Sequence, residues 1–188
     1  MHNHRVERDP KNRASHPKCY ASDGAAVYII GMTFDYSLDF VSVDFRKRPE
    51  LYRIGKGEQG VLLVEPYKSE ILPHWRFKTP QIARKSANKI YGLFLDYKAK
   101  EDFVGMDMTR KFLQMGYTRS RRYANHKSGR KYAAGSKVAL PSEKDPVKAK
   151  SAKVFYEKWQ KARVDEKYLE LKKRHRQRYE IQREEDYA

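Results

Sequence analysis

The sequence predicts an α+β fold, in which a small antiparallel sheet packs on helices and a long C-terminal helix follows. Two observations lead to this class. Apolar side chains alternate over residues 34–45, and Val61–Val64 is a short apolar run. Both patterns are typical of strands. From Pro80 onward, apolar residues recur at spacings of three and four, which is the period of a helix.

The chain divides into four parts by composition and period. Residues 1–31 are rich in His, Asn, Arg and Pro and mostly lack a period, so we interpret them as disordered or as a misassigned N-terminal extension. Met32 is then a candidate biological start. The compact α+β domain is expected over 32–135, a loop over 136–145, and the C-terminal helix over 146–188.

The predicted sheet comes from two segments. Within residues 34–45 the alternation slips by one position between Phe40 and Val41, which a strand with a bulge would accommodate. Val61–Val64 predicts a buried strand closed by Pro66.

A glycine-rich loop precedes that second strand. Gly55, Gly57 and Gly60 match a G-x-G-x-x-G spacing, but a dinucleotide site needs a helix after the third glycine, and a strand is expected here. We therefore interpret the motif as a hairpin loop, whose backbone amides together with Lys56 could still contact an anion.

Two helices are expected in the middle of the chain. Thr79 is a favoured N-cap and Pro80 suits the first helical position, so a helix should begin there and run over 80–99. A second, shorter helix is predicted over 103–115, with Gly116 as its C-terminal stop.

The third helix should begin in the same way, at Asp145 and Pro146. Phe155 and Trp159 lie four residues apart on one face and should pack this helix back onto the domain. The residues beyond Lys172 are nearly all charged, so the end of the helix should project into solvent.

Charge is the most informative feature for function. The chain of 188 residues carries a formal net charge of +17, and residues 108–142 contain nine Lys or Arg and no Asp or Glu. Such a concentrated positive field favours a negative partner. The basic segment 117–132 therefore predicts binding to nucleic acid, either DNA or RNA, or to another polyanion.

Composition excludes several other classes. Cys19 is the single cysteine, so neither an intrachain disulfide nor a cysteine-based zinc site can form, and we expect no cofactor or metal. No apolar run approaches the roughly 20 residues of a membrane-spanning helix. We expect no membrane partner and a cytoplasmic location, while the oligomeric state stays open.

The candidate contact residues combine cations with aromatic and polar side chains. Arginine can grip phosphate with two parallel hydrogen bonds, tyrosine and tryptophan can stack on bases, and asparagine and histidine can bond base edges or ribose hydroxyls. We predict contacts to nucleic acid or phosphate from Arg119, Arg121, Arg122, Tyr123, Asn125, His126, Lys127, Arg130, Lys131, Tyr132, Trp75 and Arg76. For Trp75 and the nearby Phe77, packing into the core is the alternative interpretation.

The leading functional hypothesis is a non-catalytic nucleic-acid-binding protein. One alternative is an enzyme acting on a phosphorylated or nucleic-acid substrate, with His126 as acid or base beside a carboxylate such as Asp35, Asp39 or Asp44. Another is an interaction module that binds an acidic protein, and a purely solvated basic face also fits the composition. The sequence alone does not decide whether the protein is an enzyme.

The chain resembles a family of uncharacterised bacterial and phage-borne proteins, domain-of-unknown-function family 4385. The resemblance covers roughly residues 32–170 and is carried by the stretches Phe34–Tyr36, Arg53–Leu62, Leu72–Phe77, Phe103–Met108 and Arg119–Tyr132. It implies a soluble cytoplasmic protein, and it brings no activity, cofactor or catalytic residue with it.

Overall fold

The computed structural model describes residues 18–20, 26–29, 34, 36–126, 128–140, 142 and 144–183. Its main body consists of helices joined by turns. The α-helices are α1 (Tyr67–Ile71), α2 (Pro80–Ala99), α3 (Phe103–Asn125), α4 (Pro146–Arg163) and α5 (Glu166–Tyr179), with single 3-10 turns at Pro49–Leu51 and Leu72–His74. Helices α2, α3 and α4 pack on one another, and α1 and α5 pack on α3.

The predicted α+β class is wrong, because residues 36–126 and 144–180 contain helices and turns but no strand. Aspartates explain the error in the first segment. Asp39 Oδ1 accepts a hydrogen bond from Val41 N (3.2 Å), and Asp44 Oδ1 accepts one from Arg46 N (3.0 Å). Such bonds offer the backbone an alternative to a strand ladder.

The alternating apolar residues of this region pack as a row of rings instead of lining a sheet. Phe34 stacks on Phe40 at 5.4 Å between ring centroids, and Phe40 stacks on Phe45 at 5.8 Å. The predicted strand Val61–Val64 is also a series of turns, in which Leu63 N donates to Gly60 O at 2.9 Å. Phe34, Phe45, Val61 and Val64 are buried without a sheet, whereas Tyr36, Val41 and Leu62 are exposed.

Three short strands lie near the two ends of the chain. They are β1 (Lys18–Tyr20), β2 (Ala26–Ile29) and β3 (Ile181–Arg183), and β2 pairs antiparallel with both neighbours. They are not the sheet that the sequence predicts. We interpret residues 1–31 as disordered or as a misassigned extension. Apart from β1 and β2, these residues lie outside the described part of the chain.

Helix α2 agrees with the sequence prediction in both type and extent. Thr79 Oγ1 accepts a hydrogen bond from Ile82 N at 3.3 Å, and Pro80 occupies the first turn. The helix buries Ala87, Ile90 and Phe94 along one face, as the spacing of apolar residues predicts.

Helix α3 does not stop at Gly116, contrary to prediction, but continues to Asn125. The reason is a close helix crossing. A Cβ atom on Gly116 would lie 2.3 Å from the Phe155 ring of α4, so only glycine lets the two helices approach this closely. Phe155 is fully buried there, and the half-buried Trp159 stacks on Tyr117 at 5.8 Å.

The expected single C-terminal helix is two helices. The chain turns at Val164 and Asp165, where Asp165 Oδ1 caps α5 by accepting from Tyr168 N at 3.1 Å. The other carboxylate oxygen of Asp165 binds Lys98 Nζ at 2.7 Å. Helix α5 therefore folds back onto the domain and buries Leu171 in the core, instead of projecting.

The core contains a charged cluster around Asp107 of α3. Its Oδ1 accepts from Tyr168 Oη (2.7 Å) and from Arg110 Nε (2.8 Å), while its Oδ2 accepts from Tyr52 Oη (2.5 Å). Lys111 Nζ lies 3.5 Å from Oδ2. The side chains of Asp107 and Lys111 are both fully inaccessible to solvent.

The neighbouring cations stabilise the charged form of Asp107. Burial by itself favours the neutral acid, but the adjacent Arg110 and Lys111 outweigh it and hold the pKa of Asp107 well below its usual range. Burial and the Asp107 charge raise the pKa of Tyr52 well above its usual value. Asp107 is therefore ionised at neutral pH, while burial lowers the pKa of Lys111 and so opposes its charged form.

The Gly116 crossing predicts opposite effects of two glycine-to-alanine substitutions in helices. Gly116→Ala should lower the free energy of unfolding by about 1–3 kcal/mol, because the added methyl group overpacks against Phe155. Gly92→Ala in α2 should raise it by up to about 1 kcal/mol, since no atom lies within 4 Å of the added carbon. Urea denaturation measures both, and effects of the same sign would contradict the crossing.

The buried cluster predicts a large effect for an isosteric substitution. Asp107→Asn should lower the free energy of unfolding by about 3–5 kcal/mol, because Arg110 and Lys111 lose their common counter-charge inside the core. Asp96→Asn, at an exposed position on α2, should change it by less than about 0.5 kcal/mol. Near-wild-type stability of the Asp107 variant in urea denaturation would show that the cluster is not needed.

Candidate nucleic-acid interface

The C-terminal half of α3 carries the first part of the basic segment. Residues 117–125 are helical, and the small residues Ser120 and Ala124, one turn apart, are buried against the interior. This orientation leaves Arg121 and Arg122 exposed. The basic segment is thus a helix end followed by a loop, and the helix fixes the direction of its first cations.

Three aromatic rings from two parts of the chain meet beside this helix end. Trp75 contacts Phe77 edge to face at 5.0 Å between centroids, and Phe77 lies 6.0 Å from Tyr123. Trp75 Nε1 donates to Phe112 O at 3.2 Å, which fixes the orientation of the indole. Tyr123 is 39% exposed and presents part of its ring to solvent.

These rings line a groove of about 700 Å³ on the surface. Its lining consists of Leu72, Trp75, Arg76, Phe77, Lys78, Ile82, Tyr123 and Lys148. Three of these side chains are cationic, three are aromatic and none is a carboxylate. Lys148 Nζ donates to Lys78 O at 2.6 Å and so joins α4 to the opposite rim. We call this surface the aromatic groove.

Three hydrogen bonds hold the walls of the aromatic groove in place. Asp145 N donates to Ala124 O at 2.9 Å, and Asp145 Oδ1 accepts from Lys148 N at 3.0 Å, which docks the start of α4 against the end of α3. Ser86 Oγ accepts from Arg76 N at 3.0 Å and ties the segment before α2 to that helix. The carboxylate of Asp145 is used as a helix cap.

The loop after α3 forms a small hairpin. Within residues 128–140, Leu140 N donates to Lys131 O at 2.9 Å, and Tyr132 forms an isolated antiparallel bridge with Ala139. Lys131 and Tyr132 are exposed, with the ammonium of Lys131 5.3 Å from the centroid of the Tyr132 ring. The hairpin therefore presents further cations and an aromatic ring to solvent.

Gly129 brings this hairpin against the groove. Its φ of +70° is in the left-handed region, and a Cβ atom there would lie 2.7 Å from the Tyr123 ring. Glycine is favoured at this position for two reasons: it adopts the left-handed backbone conformation readily, and it has no Cβ atom to clash with the Tyr123 ring. The contact holds one edge of Tyr123 against the loop.

The structure brings some of the predicted contact residues together. Trp75, Arg76 and Tyr123 meet in the aromatic groove. The others that the structure describes lie on the helix end and the hairpin: Arg119, Arg121, Arg122, Asn125, His126, Arg130, Lys131 and Tyr132. Lys127 lies outside the described residues. Trp75 packs against the core and also lines the groove.

The catalytic arrangement considered for His126 does not form among the described residues. His126 ends α3, and its Nδ1 is buried without a hydrogen-bond partner in that part of the chain. Asp39 and Asp44 instead accept hydrogen bonds from the backbone of their own turns. Asp35 is not among the described residues.

Five residues line the groove but were not among the predicted contacts: Leu72, Phe77, Lys78, Ile82 and Lys148. Leu72, Phe77 and Lys78 lie in the same short stretch as Trp75 and Arg76, and Ile82 lies in the first turn of α2. No local signal marks Lys148, because only the docking of α4 brings it to the groove.

The cations near the groove keep their charge free for a partner. No residue between 112 and 164 forms an ion pair in the described portion of the protein. Over the same portion, no three His, Cys, Asp or Glu side chains are grouped so that they could hold a metal ion. None of its helices combines the length and the apolarity needed to cross a bilayer.

Comparison with known proteins gives a family. Residues 35–178 match a family described as "Domain of unknown function (DUF4385)". The match spans most of the chain and includes the helices that build the groove, so the protein belongs to this family. No curated protein and no solved structure matches the chain.

The Gly129 contact predicts a local effect on Tyr123. Gly129→Ala should shift the ring resonances of Tyr123 in NMR spectra, because the added methyl group displaces the hairpin from the ring. Gly135→Ala is the matched control, since Gly135 also has a positive φ (+68°) but has no atom within 4 Å of the added carbon. Equal shifts in the two variants would mean that backbone strain alone moves the loop.

Proposed function

We propose that the protein binds single-stranded nucleic acid without acting on it. The aromatic groove would take bases, and the cations around it would take phosphates. One observation carries the proposal: three aromatic rings and three cationic side chains line a single groove that contains no carboxylate. Stacking rings within a positively charged groove are the combination that binds single strands without strong sequence preference.

The rings favour single strands over duplex. In a duplex the bases are stacked on one another, so their faces are not available to a protein side chain. Part of the Tyr123 ring is exposed to solvent, and its centroid lies 6.0 Å from that of the Phe77 ring. Stacking of this kind contributes about 1–3 kcal/mol per base.

The cations support the proposal by their number and freedom. They come from four parts of the chain: the segment before α2 (Arg76, Lys78), the end of α3 (Arg121, Arg122), the hairpin (Arg130, Lys131) and the start of α4 (Lys148). Because none of these has a carboxylate partner in the described part of the chain, binding a phosphate breaks no existing ion pair. Counterion release then supplies a favourable, salt-dependent term.

The alternatives are weaker on this geometry. An enzyme that uses His126 needs a carboxylate beside it, and the described residues provide none in hydrogen-bonding contact. An acidic protein partner would also meet the cations, but it would leave the stacking rings unused. The single cysteine suits a reducing compartment, so we place the proposed binding in the cytoplasm.

Tyr123→Ala tests the stacking part of the proposal. Fluorescence anisotropy with labelled single-stranded DNA and RNA should show about tenfold weaker binding, since one stacked base is lost. Binding of duplex should change less. Tyr156→Ala is the control, because Tyr156 is similarly exposed but packs on Tyr117 and Trp159, outside the groove.

The same assay over a salt series tests the phosphate contacts. Replacing Arg121 and Arg122 together by alanine should lower the log–log salt slope by about 1.4, at about 0.7 per phosphate on a single strand. The double variant of Lys161 and Lys173 removes the same charge from exposed positions elsewhere and should leave the slope unchanged. A flat salt response, or equal behaviour of the two double variants, would contradict nucleic-acid binding at this surface.

A further inference from the structure

A second cavity, of about 550 Å³, lies at another part of the domain. Its walls come from the glycine-rich loop, the first half of α3, the end of α4 and one face of α5. The lining residues are Ile54, Gly55, Lys56, Gly57, Arg110, Gln114, Trp159, Arg163, Tyr168, Leu169, Lys172, Arg176 and Glu180. None of them lines the aromatic groove, and the volume suits a small organic ligand.

The cavity has an excess of positive charge. Five of its side chains are cationic, namely Lys56, Arg110, Arg163, Lys172 and Arg176, and Glu180 is the single carboxylate. Glu180 is already engaged, since its Oε1 accepts from Ile54 N at 2.6 Å and its Oε2 lies 3.7 Å from Arg176 Nε. Lys56, Arg163 and Lys172 have no ion-pair partner in the described part of the chain.

Arg110 connects this excess to the core. Its side chain is only 11% exposed and is held by Asp107 at 2.8 Å and by Gln114 Oε1 at 2.9 Å. The other carboxylate oxygen of Asp107 lies 3.5 Å from Lys111 Nζ, so Arg110 shares this counter-charge. Because Arg110 also lines the cavity, an anion bound there would meet a guanidinium that Asp107 and Gln114 already hold in place.

Lys172, on the α5 wall of the cavity, forms no ion pair with a carboxylate in the described part of the chain. It is half-buried on α5, and burial together with the nearby Arg176 and Arg110 lowers its pKa, while Asp107 acts in the opposite direction. A cation among cations is unfavourable unless an anion lies between them. Lys172 and Arg110 thus point to a ligand with more than one negative charge.

The remaining wall suits an aromatic group. Trp159 lines the cavity, and its Nε1 is buried without a hydrogen-bond partner among the described residues. The guanidinium of Arg163 lies 5.4 Å from the centroid of the Trp159 rings. Leu169 and Ile54 add apolar surface. A planar ring would suit this wall.

We propose that this cavity is a binding site for a nucleoside phosphate. The phosphates lie against Arg110 and Lys172, and the base lies beside Trp159. The site is separate from the aromatic groove and does not depend on the proposed binding of single strands. It gives a role to the glycine-rich loop, in which Gly55, Lys56 and Gly57 form part of the cavity edge.

The test is isothermal titration calorimetry of the full chain with inorganic phosphate, pyrophosphate and adenosine diphosphate at fixed salt. We expect saturable binding that strengthens from phosphate to pyrophosphate to the nucleotide. Lys172→Ala should weaken nucleotide binding by about tenfold, since a charged hydrogen bond is lost. Lys173→Ala should leave the affinity unchanged, because this neighbouring lysine is exposed and does not line the cavity.

Two further variants separate the parts of the site. Trp159→Leu removes the aromatic ring beside which the base lies, so it should weaken binding of the nucleotide and not of pyrophosphate. Tyr123→Ala should affect only oligonucleotide binding, which distinguishes failure of this site from failure of the groove. Absence of saturable binding to all three probes, or equal affinities of the Lys172 and Lys173 variants, would overturn the proposal.

Discussion

The ionised side chain of Asp107 is the interaction on which the rest of the fold depends. It joins three separate parts of the chain, since Tyr52 belongs to the N-terminal turns, Arg110 and Lys111 to α3, and Tyr168 to α5. Lys111 also donates to Gln59 O at 2.8 Å, which fixes the glycine-rich loop. A carboxylate buried with this many donors is stabilising only as a complete set, because a missing partner leaves a charge unpaired. The arrangement of loop, α3 and α5 is therefore specified together.

A second constraint, the crossing of α3 and α4, determines where the surfaces lie. Because Gly116 admits the ring of Phe155, α3 continues past the crossing and carries Tyr123 to one end of the domain. Helix α4 begins at that same end with Lys148 and ends at the cavity with Trp159 and Arg163. The two helices thus connect both proposed sites without bringing them together.

Much of the helical structure followed from local chemistry. The caps at Thr79 and Asp145 were predictable because a side-chain acceptor followed by proline identifies a helix start. The break at Asp165 was missed, although Asp is a favoured cap, because the apolar residues Tyr168, Leu169 and Leu171 follow it. The predicted sheet failed for a different reason, since alternation reports burial and cannot distinguish a strand from turns that bury rings. Gly116 was misread because its function lies in a contact with Phe155, 39 positions away in the sequence.

The candidate sites show the same division between local and long-range information. The excess of arginine and lysine after Met108 was evident from composition, and so was the pairing of Trp75 with Arg76. The cluster of Asp107, Arg110 and Lys111 was not, because charged residues at helical spacing usually face solvent. Its burial is visible only once Tyr52 and Tyr168 are brought to it from sequence positions more than fifty residues away. The cavity beside Arg110 could not be predicted for the same reason.

The separation of the two surfaces limits how they can influence each other. Arg110 and Tyr123 are thirteen residues apart on α3, which corresponds to about 20 Å along the helix axis. The Debye length at physiological salt is about 8 Å, so exposed charges at the two surfaces are largely screened from each other by salt. Coupling through the protein would require a movement of α3 or α4, the two helices that reach both surfaces. The packing of Gly116 against Phe155 opposes such a movement, because the helix cannot slide without driving its neighbouring side chains into that ring. The physical expectation is therefore that the two proposed sites act independently.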